Sequence, residues 1–205
     1  MTKLVVISAG LSVPSSTRLL ADRLTAATVE ALEEVEVTHV ELRDLAHQLT
    51  DQLLTGFPAA ELAAAQAAVR EADGLIVVTP VFSASYSGLF KTFFDVLETG
   101  ALDGTPVLVA ATAGTARHSL VLEHALRPLF AYLRAVVVPT GVFAATDDFA
   151  GVDLEARVTR AAGELATLMG TGSRAATGPT RRRSVEDELA APTPFEQLLR
   201  QASVA

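Results

Sequence analysis

The sequence predicts an α/β protein built on a doubly wound parallel sheet, and three observations support this fold class. Short apolar runs rich in valine and leucine alternate along the chain with longer segments of helical periodicity. Most of these runs are apolar at nearly every position, which is typical of parallel strands covered by helices on both faces. Hydrophobic residues make up 50% of the 205 residues and charged residues 20%, a balance that suits one domain with a substantial core.

Five strands and five helices are predicted in alternation. The strands are expected at 4–7, 35–40, 75–79, 107–111 and 136–138, and the helices near 17–33, 60–72, 87–98, 119–134 and 153–169. The run at 35–40 is more polar than the others, which is typical of an edge strand. After residue 170 the chain becomes polar, with glycine, proline and clustered charges. Residues 1–170 are therefore expected to form the domain, and 171–205 a flexible polar tail in which 194–199 is a candidate for a short helix.

Charge and cysteine content argue against several kinds of function. The net charge of -8 opposes electrostatic binding to nucleic acid or anionic lipid. The sequence contains no cysteine, so redox chemistry would require a bound organic cofactor. The apolar start at 4–7 is too short for a signal peptide, and no apolar run is long enough to span a membrane. A cytoplasmic protein without a metal site is expected.

A hydroxyl-rich loop separates the first strand from the first helix. Ser12, Ser15, Ser16 and Thr17 lie within six positions, shortly after Gly10. Hydroxyls and free N–H groups at a helix N-terminus can hold a phosphate without much fixed charge. A helix N-cap also uses serine or threonine, but one cap needs only one hydroxyl. The four hydroxyls therefore favour a phosphate-binding loop over a simple cap.

Two further loops follow the third and fourth predicted strands. In open parallel sheets, ligands bind beyond the carboxyl ends of the strands where the strand order reverses, so these loops are candidates for a site. The loop at 79–91 could frame a flat ring, or it could be a connection with Phe82 and Tyr86 in the core. The loop at 111–118 is rich in small residues and could let a ligand approach the backbone, or form a plain turn.

These loops resemble those of the NADPH-dependent FMN reductases, which belong to the flavodoxin superfamily. The resemblance spans about residues 3–165 and is carried by Pro14-Ser15-Ser16-Thr17, by Thr79-Pro80-Val81-Phe82-Ser83-Ala84-Ser85-Tyr86-Ser87-Gly88 and by Ala111-Thr112-Ala113-Gly114-Thr115. The second segment is the most specific, and it is similar to the branch that feeds reduced flavin to two-component monooxygenases. The resemblance implies a flavodoxin-like, five-stranded parallel sheet in a three-layer αβα arrangement.

The resemblance also implies a function and a set of site residues. The protein would transfer hydride from NADPH or NADH to FMN and supply reduced flavin to a flavin-dependent, luciferase-like monooxygenase. It would form a homodimer or homotetramer, and no side chain would act as acid or base in the hydride step. The residues implied to bind the cofactor are Ser12, Ser15, Ser16, Thr17, Pro80, Val81, Phe82, Ser83, Thr112, Ala113, Gly114 and Thr115. Among them, Ser15 and Thr17 match hydroxyls that hold the FMN phosphate in the family.

The first loop departs from the family pattern. Ser12 stands where the family has an arginine, and Gly10 stands where it has a serine. Loss of the arginine removes a charge-assisted contact to phosphate. The resemblance therefore implies a moderate grip on FMN and a weak preference for NADPH over NADH. Arg18 could replace the missing arginine, or it could lie on the surface of the first helix.

Pro128 lies inside the helix predicted at 119–134. Proline has no N–H, so the carbonyl of His124 loses its α-helical partner. Either a kink or a π-turn could absorb this defect, and π-turns are frequent at functional sites. In the resembling reductases, an inserted residue at the position of His124 forms a π-helix at a subunit interface. The resemblance thus implies that His124 marks a π-turn, faces another subunit and modulates flavin release.

Three other functions stay open on the sequence. A flavodoxin-like electron carrier would not turn over nicotinamide nucleotides. An FMN-containing quinone or azo-dye reductase would pass electrons from bound flavin to an aromatic acceptor. A doubly wound domain could also bind a different ligand that carries a phosphate.

Overall fold

The computed structural model describes residues 1–32 and 34–170. The strands in this part are β1 (Thr2–Ser8), β2 (Val35–Glu41), β3 (Gly74–Phe82), β4 (Ser85–Tyr86), β5 (Pro106–Ala113), β6 (Val136–Val137) and β7 (Val142–Ala145). The α-helices are α1 (Ser16–Glu30), α2 (Ala46–Thr55), α3 (Ala60–Glu71), α4 (Gly88–Asp95), α5 (Arg127–Tyr132) and α6 (Val152–Gly170). The predicted tail at 171–205, with its candidate helix at 194–199, lies outside the described residues, so the domain boundary stays a prediction.

The sheet has five parallel positions, in the order β2, β1, β3, β5 and then β6 with β7. The last position is divided, because β6 pairs with the beginning of β5 and β7 pairs with its end. The short strand β4 turns back antiparallel on the end of β3. The strand order reverses between β1 and β3, so the loops that follow these two strands leave in different directions and open a crevice between them.

Alternate residues of the central strands face opposite sides of the sheet. Val5 and Ile7 of β1 pack into one core with α2, α3, α4 and α5, whereas Leu4 and Val6 pack into a second core with α1 and α6. Helices therefore cover both faces, which explains why the strands are apolar at nearly every position. The predicted three-layer αβα architecture is confirmed. None of the helices described for this chain is long and apolar enough to cross a membrane.

Helix α2 and the short strands β4 and β7 were not predicted. Helix α2 buries only Leu49, and its Leu53 and Leu54 are exposed, so it lacks the apolar stripe that identifies a helix. Strand β7 was not predicted because the fifth strand position is interrupted between β6 and β7. Side chains from two helices hydrogen-bond to the backbone of this interruption. The Glu164 carboxylate accepts hydrogen bonds from Thr140 N and Oγ1, both at 2.7 Å, and Arg127 Nη1 donates to the Val138 carbonyl at 3.0 Å.

The helix predicted at 119–134 is composite. A 3-10 turn at Ala116–His118 is followed by a π-helix at Leu122–Leu126 and then by α5, which has Pro128 in its first turn. The Arg127 N–H donates to the carbonyl of Leu122, five residues back, which is the hydrogen bond of a π-helix. The structure therefore has the π-turn rather than a simple kink. His124 is exposed on this single chain, and its place against another subunit stays a prediction.

Candidate functional site

A pocket of about 360 Å³ opens at the carboxyl edge of the sheet, in the crevice between β1 and β3. The lining comes from the loop after β1, the start of α1, the carboxyl ends of β3 and β5, and residues just after β5 and β7. It consists of Leu11, Ser12, Ser15, Ser16, Thr17, Pro80, Val81, Phe82, Thr112, Ala113, Gly114 and Thr146. Every residue predicted for the site is in this lining except Ser83 and Thr115. Leu11 and Thr146 also line the pocket and were not predicted. Thr146 follows β7, so it could have been found only by recognising that strand.

The four hydroxyls of the first loop have different partners. Ser15 Oγ accepts a hydrogen bond from Arg18 N at 3.2 Å and is the N-cap of α1. Thr17 Oγ1 lies 2.8 Å from Thr112 Oγ1, and both residues are buried. Ser12 and Ser16 are exposed. The loop thus combines the two interpretations of its sequence, because one hydroxyl caps the helix and two stay available to a ligand.

Gly10 allows the first loop to fold tightly over the start of α1. A Cβ atom added at this position would lie 2.2 Å from Ser15 Oγ and 3.2 Å from Thr17 Cβ. A side chain here would force Ser15 Oγ to rotate away and the two nearby Cβ atoms to shift, so the close approach favours glycine. The loop also contains a cis peptide bond between Val13 and Pro14.

Arg18 belongs to an ion-pair cluster rather than to the pocket lining. Its Nε lies 2.7 Å from Asp22 Oδ1, and its Nη1 lies 2.6 Å from Glu41 Oε1. The hydrogen bond to Asp22, followed by that to Glu41, raises the pKa of the Arg18 guanidinium above its ordinary value. Two carboxylates hold this side chain on α1, which agrees with the interpretation of Arg18 as a residue of the helix surface. The lining contains no charged residue.

The loop after β3 is a hairpin that divides its aromatic residues between pocket and core. Val81 pairs with Tyr86, and Ser83 and Ala84 form the turn with φ angles of 49° and 67°. Tyr86 packs on Phe90, with ring centroids 5.9 Å apart. Phe82 instead lines the pocket and is 46% exposed. The two interpretations of the sequence therefore apply to different residues of the same loop.

Similarity to known proteins agrees with this geometry. A family model described as NADPH-dependent FMN reductase matches residues 2–150. The chain belongs to this family. NADH-dependent FMN reductase SfnF of Pseudomonas fluorescens is 43% identical over 174 residues, which cover 82% of this chain and 92% of that protein. FMN reductase (NADPH) of Pseudomonas aeruginosa is 41% identical over 173 residues, with the same coverage of 82% and 92%.

Solved structures of reductases are also similar to this FMN reductase family member. An oxidoreductase from Corynebacterium diphtheriae is 53% identical and superposes with a TM-score of 0.82, covering 83% of this chain and 98% of that one. The apo form of NADH:FMN oxidoreductase (EMOB) is 32% identical with a TM-score of 0.70, covering 82% and 89%. A flavodoxin from the domain Archaea, at 14% identity and a TM-score of 0.57, shares the fold and covers 83% of this chain and 99% of that one.

The activity follows from the family and the relatives. The protein is an NAD(P)H-dependent FMN reductase that uses FMN together with NADH or NADPH. The fold is flavodoxin-like, as predicted. An electron carrier without nucleotide turnover is therefore not the function of this chain.

Proposed function

We propose that FMN binds in the pocket between β1 and β3, and that the enzyme releases reduced FMN to a flavin-dependent monooxygenase. The phosphate lies at the first loop, beside the exposed hydroxyls of Ser12 and Ser16 and the N-terminus of α1. The positive end of the helix dipole favours an anion at that position. The isoalloxazine ring lies between Phe82 and the small residues at the carboxyl end of β5.

The residues of the pocket fit a role in binding and orientation. When it is bound, FMN supplies an acceptor for the hydride of NAD(P)H. The lining residues carry hydroxyl, aliphatic and aromatic groups, and none of them is charged. Their contribution is to hold the ring in one orientation and to exclude water from its buried face. The nucleotides are cytoplasmic metabolites, and we accordingly place the enzyme in the cytoplasm.

The uncharged lining is the observation that carries the proposal of flavin release. A phosphate dianion held by hydroxyls and backbone N–H groups alone lacks the opposite formal charge and the bidentate contact that an arginine would add. Arg18 cannot add such a contact, because Asp22 and Glu41 hold it. A moderate affinity for FMN suits an enzyme whose flavin leaves after reduction. An enzyme that passes electrons to a quinone or an azo dye must instead retain its flavin.

Two measurements test the placement and the release. We expect the Ser12→Ala/Ser16→Ala variant to bind FMN about tenfold or more weakly, since a hydrogen bond to a charged group contributes about 1.5–3 kcal/mol. Riboflavin, which has no phosphate, should bind as it does to the wild type, and Ser119→Ala, outside the lining, should change neither affinity.

After anaerobic reduction with NADH, reduced flavin should pass through an ultrafiltration membrane. Retained flavin that turns over a quinone would contradict the release.

We also propose that the π-helix lies at an interface of a homodimer or homotetramer and modulates flavin release. It packs against β4 and β5, two elements that border the pocket. The exposed Leu120 and Tyr132, at 62% and 85%, flank it on either side and would be buried by a second subunit. His124→Ala should therefore lower the oligomer mass or alter the rate of flavin release. Unchanged native mass together with unchanged FMN turnover would contradict this role.

A further inference from the structure

The nicotinamide nucleotide is negatively charged, and the pocket at the carboxyl edge of the sheet has no positively charged lining residue to attract it. Both NADH and NADPH carry a diphosphate, whereas the pocket lining is uncharged. The whole chain has a net charge of -8. A negatively charged protein slows the approach of an anion unless a local cation opposes the repulsion. The site therefore needs a cation outside the lining.

Nearly all cations in the described part of the chain are already paired. Every lysine and arginine there lies within 4.0 Å of a carboxylate, except Arg117 and Arg160. Both of these side chains are exposed. An exposed guanidinium without a carboxylate partner can bind an incoming phosphate with no ion pair to break first.

Of these two arginines, only Arg117 is close in sequence to residues that line the pocket. Arg117 lies in the 3-10 turn Ala116–His118, which directly follows the segment 112–115 whose first three residues line the pocket. The loops at 9–15, 80–87, 112–118 and 145–151 supply most of the lining, and they contain no other lysine or arginine. Arg160 lies instead within α6, in the helical layer that covers the sheet.

We propose that Arg117 binds a phosphate group of the nicotinamide nucleotide and thereby sets its KM. A guanidinium suits this role, because its planar array of donors can bind two phosphate oxygens at once. The partner is either the diphosphate that NADH and NADPH share or the 2′-phosphate of NADPH alone. The inference rests on the proposed placement of FMN in the pocket, because the nicotinamide must stack on the flavin for its diphosphate to reach this rim.

The test compares Arg117→Gln with Arg160→Gln, a matched loss of the other unpaired arginine. Steady-state kinetics at saturating FMN give kcat and KM for NADH and for NADPH, and fluorescence titration gives the affinity for FMN. We expect Arg117→Gln to raise the KM on the order of tenfold, with kcat and FMN affinity unchanged. An equal rise for both nucleotides assigns the diphosphate, and a rise for NADPH alone assigns the 2′-phosphate. Arg117→Lys should recover part of the loss, and Arg160→Gln should behave as the wild type.

A KM within twofold of the wild type for both nucleotides would overturn the proposal, and so would an equal rise in Arg160→Gln, which would show a general effect of net charge. The salt dependence provides a second readout. Because salt screens the attraction between Arg117 and the phosphate, raising the ionic strength should narrow the difference in kcat/KM between the wild type and Arg117→Gln. Failure of the flavin placement is separate, because it would appear as unchanged FMN affinity in Ser12→Ala/Ser16→Ala.

Discussion

Replacement of Thr17 by valine should lower the free energy of unfolding by about 1–3 kcal/mol, because it leaves the buried hydroxyl of Thr112 without a partner. Thr17 and Thr112 are 2% and 3% exposed, and their hydroxyls are 2.8 Å apart. Valine has nearly the shape of threonine, so the change removes the hydrogen bond without opening a cavity. Urea unfolding of the apo protein measures the effect.

The double variant Thr17→Val/Thr112→Val separates this loss from a general defect in packing. It removes both hydroxyls and leaves no buried donor unsatisfied, so it should be more stable than either single variant. Thr28→Val is the matched control, since Thr28 is also buried in α1 but donates to the Leu24 carbonyl of its own helix. A double variant as unstable as the sum of the single variants would contradict this account of the pair.

The same bond is expected to affect flavin binding. It joins the beginning of α1 to the end of β5, which lie on two sides of the pocket. Without it, FMN must order these two segments when it binds, and part of the binding free energy is used in doing so. We expect Thr17→Val to raise the Kd for FMN about tenfold or less, which is about 1.4 kcal/mol or less. Thr17→Ser keeps the hydroxyl and should bind FMN as the wild type does.

Gly10→Ala should have the larger effect on the site itself. The added Cβ would lie 2.2 Å from Ser15 Oγ and 3.2 Å from Ser15 Cβ, so Ser15 Oγ must rotate away from its capping bond to Arg18 N and its Cβ must shift. Loss of a cap costs about 1 kcal/mol and overpacking costs about 1–3 kcal/mol. We expect a decrease of about 2–4 kcal/mol in unfolding free energy and a loss of FMN affinity well above tenfold. Thermal unfolding and FMN titration measure the two effects.

The control for Gly10→Ala is Gly163→Ala in α6, where an added Cβ meets nothing within 4 Å. Alanine is the better helix former, so this variant should gain about 0.5–1 kcal/mol. The double variant Gly10→Ala/Ser15→Ala removes the hydroxyl from the clash and should recover part of the lost affinity. If Gly10→Ala binds FMN as tightly as the wild type, the first loop does not hold the phosphate.

Much of the fold follows from local patterns that can be read along the chain. The runs in β1, β3 and β5 are apolar on both faces, and only a parallel sheet with helices on both sides buries such strands. Carboxyl ends of parallel strands meet at one edge, which is why three loops far apart in sequence could be assigned to one pocket. A defect in the helix at 119–134 was also predictable, because Pro128 removes a backbone donor whatever surrounds it, whereas the choice of a π-turn over a kink came from the family resemblance.

Local patterns along the chain were thus sufficient to predict the layered architecture, the edge of the sheet with the pocket and most of its lining. The use of the polar groups, in contrast, depends on contacts between distant segments. Thr17 and Thr112 are 95 positions apart, and Arg18 meets Glu41 from another element, so neither partner is visible in a local pattern. The divided fifth strand likewise depends on Arg127 and Glu164 from two different helices. Burial of apolar faces is a property of short segments, whereas the partner of a hydroxyl or a guanidinium is set by what folding brings within about 3 Å of it.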